Sequence, residues 1–198
     1  MLIEHRGAAP SVHPDAWVAP TAVLSGDVRV AAGCRILYGA VLTAEDGHVE
    51  LGPRSVVMEN ALVRGRAATP AVIGADVLVG PQAHLNGSRI EDGCFVATGA
   101  ALFPGSVLGA GAEVRIGGVV HVNTVVEAGA TVPIHWVAVG SPAQILPPDR
   151  HDDIWAIQRE LDFPGTVYGL DRSAGARERM ERQSAWFGAH RGDRPLDG

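Results

Sequence analysis

The chain has no lysine, and all 16 of its basic residues are arginine. Chemistry that runs through a lysine amine, as a Schiff base or a general base, is therefore excluded. Aromatic residues make up only 5% of the sequence, too few for a surface that stacks nucleobases. The formal net charge is −6. The densest basic stretch, Arg172 to Arg182, also carries Glu178 and Glu181 and reads as a solvated helix face. Nucleic acid and anionic membrane are thus poor partners. No run approaches the roughly 18 apolar residues of a membrane span, and the first residues lack the apolar core of a signal peptide. A cytoplasmic protein is the expectation. A phosphate loop, His-Glu-x-x-His, Cys-x-x-Cys and Gly-x-Ser-x-Gly are all absent.

What is present is a repeat. Aliphatic residues recur every six positions through Val18, Leu24, Val30, Ile36 and Leu42, resume at Leu51, Val57 and Val63, then at Ile73, Val79 and Leu85, and run on from Ile90 to Val132. A small residue such as Ala22, Ala40, Ala61 or Ala83 follows four positions after an aliphatic of the series, and both sets must point inward. A period of six fits neither an amphipathic helix nor an open alternating sheet. It fits a coil that turns a corner every six residues, stacked on its neighbours at about 4.8 Å so that the inward aliphatics form ladders. The fold class expected is an all-β solenoid, a left-handed parallel β-helix of about six triangular coils, with C-terminal helices packed on the outside.

Residues 1–17 read as a lead-in, 18–145 as the β-helix and 146–198 as a helical tail. In the tail, one helix is expected from Asp149 with Ile154, Ile157 and Leu161 on one face, stopped by Phe163-Pro164-Gly165. A second is expected from about Ala174 to Phe187, and the final ten residues read as frayed. Departures from six fall only after Leu42, Val63 and Leu85, on one corner of three successive coils, and insertions gathered at one corner mark a binding face. Cys34 and Cys94 share an inward column about 14 Å apart, too far for a disulfide.

With this register the chain resembles the γ-class carbonic anhydrase family of hexapeptide-repeat proteins over roughly residues 10 to 160. The resemblance is carried by Thr43-Ala44-Glu45, Met58-Glu59-Asn60-Ala61-Leu62-Val63-Arg64, Val79-Gly80-Pro81-Gln82-Ala83-His84-Leu85-Asn86-Gly87 and Val139-Gly140-Ser141-Pro142-Ala143-Gln144-Ile145. It implies a homotrimer with sites between subunits, where three histidines hold a zinc that activates water. Those three positions read Arg64, Pro81 and Asn86 here. A guanidinium stays protonated, proline has no donor atom and an amide is a poor zinc ligand. No metal ligand set and no zinc hydration chemistry are therefore expected at this position.

The column that carried metal ligands now places Thr43, Arg64, Asn86, Phe103 and His121 on successive coils, facing outward. Arg64 and Asn86 are about 5 Å apart, close enough to grip one carboxylate, phosphate or amide together. The expectation is a metal-independent enzyme acting on a small polar or acyl-thioester substrate at the trimer interface. Glu59, His84 and Arg64 are the candidate catalytic groups, with Arg64, Asn86, Thr43, Glu45 and His121 binding substrate. The bland alternative is an Arg64 to Glu59 ion pair fastening the trimer. Two further readings stay open: an acyl-CoA-dependent acyltransferase of the other hexapeptide branch, although the long acceptor-binding loop of that branch is missing, and a non-catalytic scaffold.

Overall fold

A computed structural model describes residues 1–196, and in it the period of six becomes a three-sided parallel solenoid. Its first face holds eight parallel strands, from Leu2–Glu4 to Val137–Val139, and the second and third faces hold seven each. The coil count is thus between seven and eight rather than about six. The difference lies at both ends. Leu2–Glu4 and Ser11–Val12 already pair in parallel with Val23–Ser25 and Val28–Val30, so coiling starts inside the expected lead-in. A step of ten residues from Leu2 to Val12 breaks the spacing and hides the Leu2–Glu4 strand from a search for sixes, although Val12 itself stands six before Val18.

The expected inward columns pair in register. On the first face Leu24, Leu42, Val63, Leu85, Leu102 and Val120 lie opposite one another in sequence, all buried. Such short strands cannot bury an apolar face alone, so each coil is stabilised by its neighbours. The corner before the first face takes a left-handed backbone in successive coils at Gly39, Asn60, Gln82 and Gly99, which aims each following strand the same way. Cys34 and Cys94 are both free and buried, and each thiol donates to a backbone carbonyl of the next coil, Gly52 and Gly109.

Helix α1 (His151–Gln158) buries Ile154 and packs against the Val137–Val139 strand. The helix ends at Gln158, so Leu161 lies beyond it and Phe163-Pro164-Gly165 is not what stops it. Those residues open a short helix α2 (Phe163–Tyr168), because proline suits the first turn and Asp162 accepts from the Gly165 N–H at 3.2 Å. Helix α3 (Ala176–Phe187) follows, then a 3₁₀ turn, Gly188–Gly192. The expected fraying does not extend to residues 189–196: Arg194–Pro195 pairs antiparallel with Leu2–Glu4. At the other end Gln144–Leu146 pairs antiparallel with Val137–Val139. The first face thus ends at both edges in a short antiparallel strand, and short edge strands offer little template for further pairing. The rest of the final ten, residues 197–198, lies outside the described residues.

Candidate functional site

The expected site column forms on the first face. Thr43, Arg64 and Asn86 are successive Cα partners, so parallel pairing alone lines up their side chains. His84 stands two residues before Asn86 on the same strand, and alternate strand residues share a face. Glu45 follows Thr43 by two at the end of its strand. Thr43, Glu45, Arg64, His84 and Asn86 are therefore brought together.

Glu45 is the electrostatic centre of this group. Its side chain is 2% exposed and its Oε1 accepts from the Thr43 hydroxyl at 3.2 Å and lies 3.5 Å from Arg64 Nε. The Arg64 side chain stays 23% exposed, its guanidinium carbon is 5.5 Å from the centre of the Phe187 ring, and its Nε is buried without a hydrogen-bond partner. Asn86 is buried and its Oδ1 also lacks a partner. Partial desolvation against the sheet, and then the Arg64 charge, push the His84 imidazole below its ordinary value, so it is neutral at pH 7. Within the chain the carboxylate beside Arg64 is Glu45; Glu59 makes no side-chain ion pair among the described residues.

His121 is not part of this group. It points outward from its coil, as expected, but the tail covers it: Phe163 of α2 lies 5.6 Å from its ring and Phe103 lies 5.8 Å away, centre to centre. Burial pushes its pKa down to about 4.

None of Arg66, Trp186, Phe187, His190, Asp193 or His5 belongs to the set expected from sequence, yet all border the site. Arg66 is buried, donates through Nη1 to the Val167 carbonyl at 2.7 Å and lies 3.6 Å from the centre of the Trp186 ring. His190 reaches Glu45 Oε2 with its Nε2 at 3.0 Å and Asp193 Oδ2 with its Nδ1 at 2.9 Å. Burial works against a charge on His190, but Asp193 and Glu45 outweigh it and raise its pKa. The only sequence signal for this contact is a histidine and an aspartate three apart at the end of the chain, which carries no period. An apolar groove of about 490 Å³ lies on the third face, where Met58, Pro81, Phe95, Ile116 and Ile134 line it.

Zinc held as the family resemblance implies does not fit these residues. The donor set is a protonated guanidinium already beside a carboxylate, a proline ring and an amide, none of which replaces an imidazole nitrogen.

Known proteins place the chain. The carnitine operon protein CaiE of Salmonella newport (strain SL254) is 37% identical over 141 residues, which cover 71% of this chain and 68% of CaiE. Gamma carbonic anhydrase 1, mitochondrial, of Arabidopsis thaliana is 36% identical over 106 residues. The chain belongs to the γ-carbonic-anhydrase-like hexapeptide-repeat family. The aligned part covers 50% of this chain but only 38% of the length of that plant relative. A crystal structure of a hexapeptide transferase family protein from Anaplasma phagocytophilum superposes with a TM-score of 0.52 at 24% identity, over 81% of this chain and 92% of that one, and shows the same fold. No protein-family model matches the chain. The plant relative's name places it in mitochondria, not in the cytoplasm expected from this sequence. Among the described residues no helix is long and apolar enough to cross a membrane.

Proposed function

We propose that this protein acts as a homotrimer that binds a small polar or anionic molecule, of the carboxylate or acyl-thioester class, beside Arg64 and Asn86, and transforms it without zinc at the family's metal position. One observation carries the reading. Arg64 Nε and Asn86 Oδ1 sit on register-paired residues of adjacent coils, and both are buried without a hydrogen-bond partner, Arg64 Nε having only the Glu45 carboxylate at 3.5 Å. Such orphans cost free energy unless a ligand or water meets them. A molecule that satisfies both offers an anionic or carbonyl oxygen to the guanidinium and an N–H or O–H to the amide oxygen. An acyl thioester with amide groups, as in acyl-CoA, has both. His84, neutral at pH 7 and on the same face, supplies a base for proton transfer. The apolar groove around Pro81 gives a second copy a surface to pack on, and would bring Glu59 to the site from the neighbouring subunit.

The test is a thermal-shift and calorimetric screen against acyl-CoAs and small organic acids. For a molecule that binds, Arg64→Ala is expected to weaken affinity by about tenfold to a hundredfold, the loss of one charge-assisted hydrogen bond. Binding and turnover untouched by Arg64→Ala would sink the proposal. A shift with CoA thioesters alone promotes the acyltransferase reading. Silence throughout favours the scaffold, a reading supported by Phe187, which the tail lays over Arg64.

A further inference from the structure

We propose that His5, Glu45 and His190 form a binding site for one divalent transition-metal ion, which ties the C-terminal tail to the first coils of the solenoid. These residues are not the family's ligand positions, and the inference stands apart from the function proposed above. One nitrogen or oxygen from each of the three lies within 4.8 Å of the others. Zinc bonds of about 2.0–2.2 Å hold the ligand atoms of one ion at most about 4.2 Å apart, so a modest turn of one ring closes the set.

Three features favour an ion over a plain hydrogen-bond cluster. First, Asp193 already holds both rings from behind, with Oδ1 at 2.6 Å from His5 Nδ1 and Oδ2 at 2.9 Å from His190 Nδ1. That leaves each Nε2 for another partner, and a carboxylate behind the imidazole is the support that orients metal-bound histidines. Second, the His5 side chain is 0% exposed and its Nε2 has no partner. With Nδ1 donating to Asp193, that Nε2 is a buried lone pair, which few buried groups leave unmet. Third, Glu45 divides its two oxygens: Oε1 faces Thr43 and Arg64, whereas Oε2 faces His190 Nε2 at 3.0 Å. A shared proton fills that gap in the free protein, and an ion would replace it.

The rings of His5 and His190 stack at 4.3 Å with 24° between their planes, so one must swing before both nitrogens aim at one point. His190 is the ring with room to do so, since its side chain is 33% exposed and lies on the 3₁₀ turn Gly188–Gly192, but the swing must pivot about its Asp193 contact and exchange its Glu45 hydrogen bond for the ion. Two imidazoles and one carboxylate select zinc, cobalt or iron(II) over magnesium or calcium. The ion would join residues 5, 45 and 190 and so stabilise the folded tail by mass action.

The experiment uses the full chain, stripped with a chelator and dialysed. It is titrated with zinc chloride by calorimetry and with cobalt(II) by visible absorption at pH 7.5. The expected result is one ion per chain, a higher Tm and cobalt bands of low-coordinate nitrogen and oxygen ligation. His190→Ala and Glu45→Gln are each expected to weaken zinc binding by about tenfold or more, whereas His84→Ala leaves it unchanged. His190→Ala carries the test because its side chain is partly exposed and circular dichroism can confirm that the fold persists. Absence of stoichiometric binding to the folded wild-type chain overturns the proposal. So does binding that survives His190→Ala, or that is lost in His84→Ala instead.

Discussion

Replacing Glu45 with alanine is expected to lower the unfolding free energy of the metal-stripped protein by about 2–4 kcal/mol, read from urea denaturation at pH 7. The carboxylate is almost wholly enclosed and serves three groups: the Thr43 hydroxyl, Arg64 Nε and His190 Nε2. Removing it leaves a guanidinium whose Nε is already orphaned with no counter-charge nearby, and uncouples the tail from the corner loop. The cost falls at the low end of the range for broken buried ion pairs because Arg64 and His190 keep some access to water. Glu45→Gln retains an acceptor for Thr43 and is expected to lose about half as much. Limited proteolysis gives a second readout, since cleavage in 176–192 should quicken in step with the loss. A Glu45→Ala protein as stable as wild type, with an unchanged cleavage pattern, would show that the cluster does not fasten the tail.

The solenoid was legible because its physics is periodic. An aliphatic at Leu42, Val63 or Leu85 has only one place to go when the chain turns every six residues, and the observed pairing Leu42–Val63–Leu85 keeps that inward column even though the corner insertions lengthen both coils. The same register placed Thr43, Arg64 and Asn86 in line, since residues one step after an inward position share an outward column. Contacts that depend on the tail were not legible. His5 meets Asp193 across 188 positions and His190 meets Glu45 across 145, and no local pattern encodes such a return of the chain. The first strand was hidden for a related reason: the turn at His5–Ala8 inserts residues between Leu2 and Val12, so Leu2–Glu4 falls out of step, whereas Val12 keeps the six-residue spacing to Val18.

The tail also changes what the outward column means. By register, Arg64 and His121 are equivalent positions two coils further along from each other than neighbours, and both look open. In the folded chain α2 covers His121, while Phe187 and His190 approach Arg64 and Glu45. A surface that the family resemblance assigns to contacts between subunits is thus partly occupied by the chain's own C-terminus. Access to Arg64 then depends on how firmly residues 176–196 are held.

His121 weakens the fold in acid. Its ring is 5% exposed, its Nδ1 has no partner and its neighbours are Phe103 and Phe163, so the imidazolium form has nothing to stabilise it. The pKa is accordingly about 4 in the folded chain, against about 6.5 unfolded. Between those values the unfolded chain binds the extra proton and the folded chain does not, so stability falls as pH falls. The contribution is absent above pH 6.5 and reaches a loss of about 3 kcal/mol at pH 4. His190 runs the other way. Its raised pKa gives stability that is full below the unfolded value and is lost as pH rises through the folded one. Comparing wild type with His121→Phe isolates the first effect, because every other titrating group is common to both. Phenylalanine extends the Phe103–Phe163 stack and cannot take a proton. The stability gap between the two proteins is therefore expected to widen in favour of His121→Phe by about 3 kcal/mol from pH 7 to pH 4, measured by urea denaturation after chelation. Parallel pH profiles for the two would mean that His121 stays open to water, and that α2 does not close over the column.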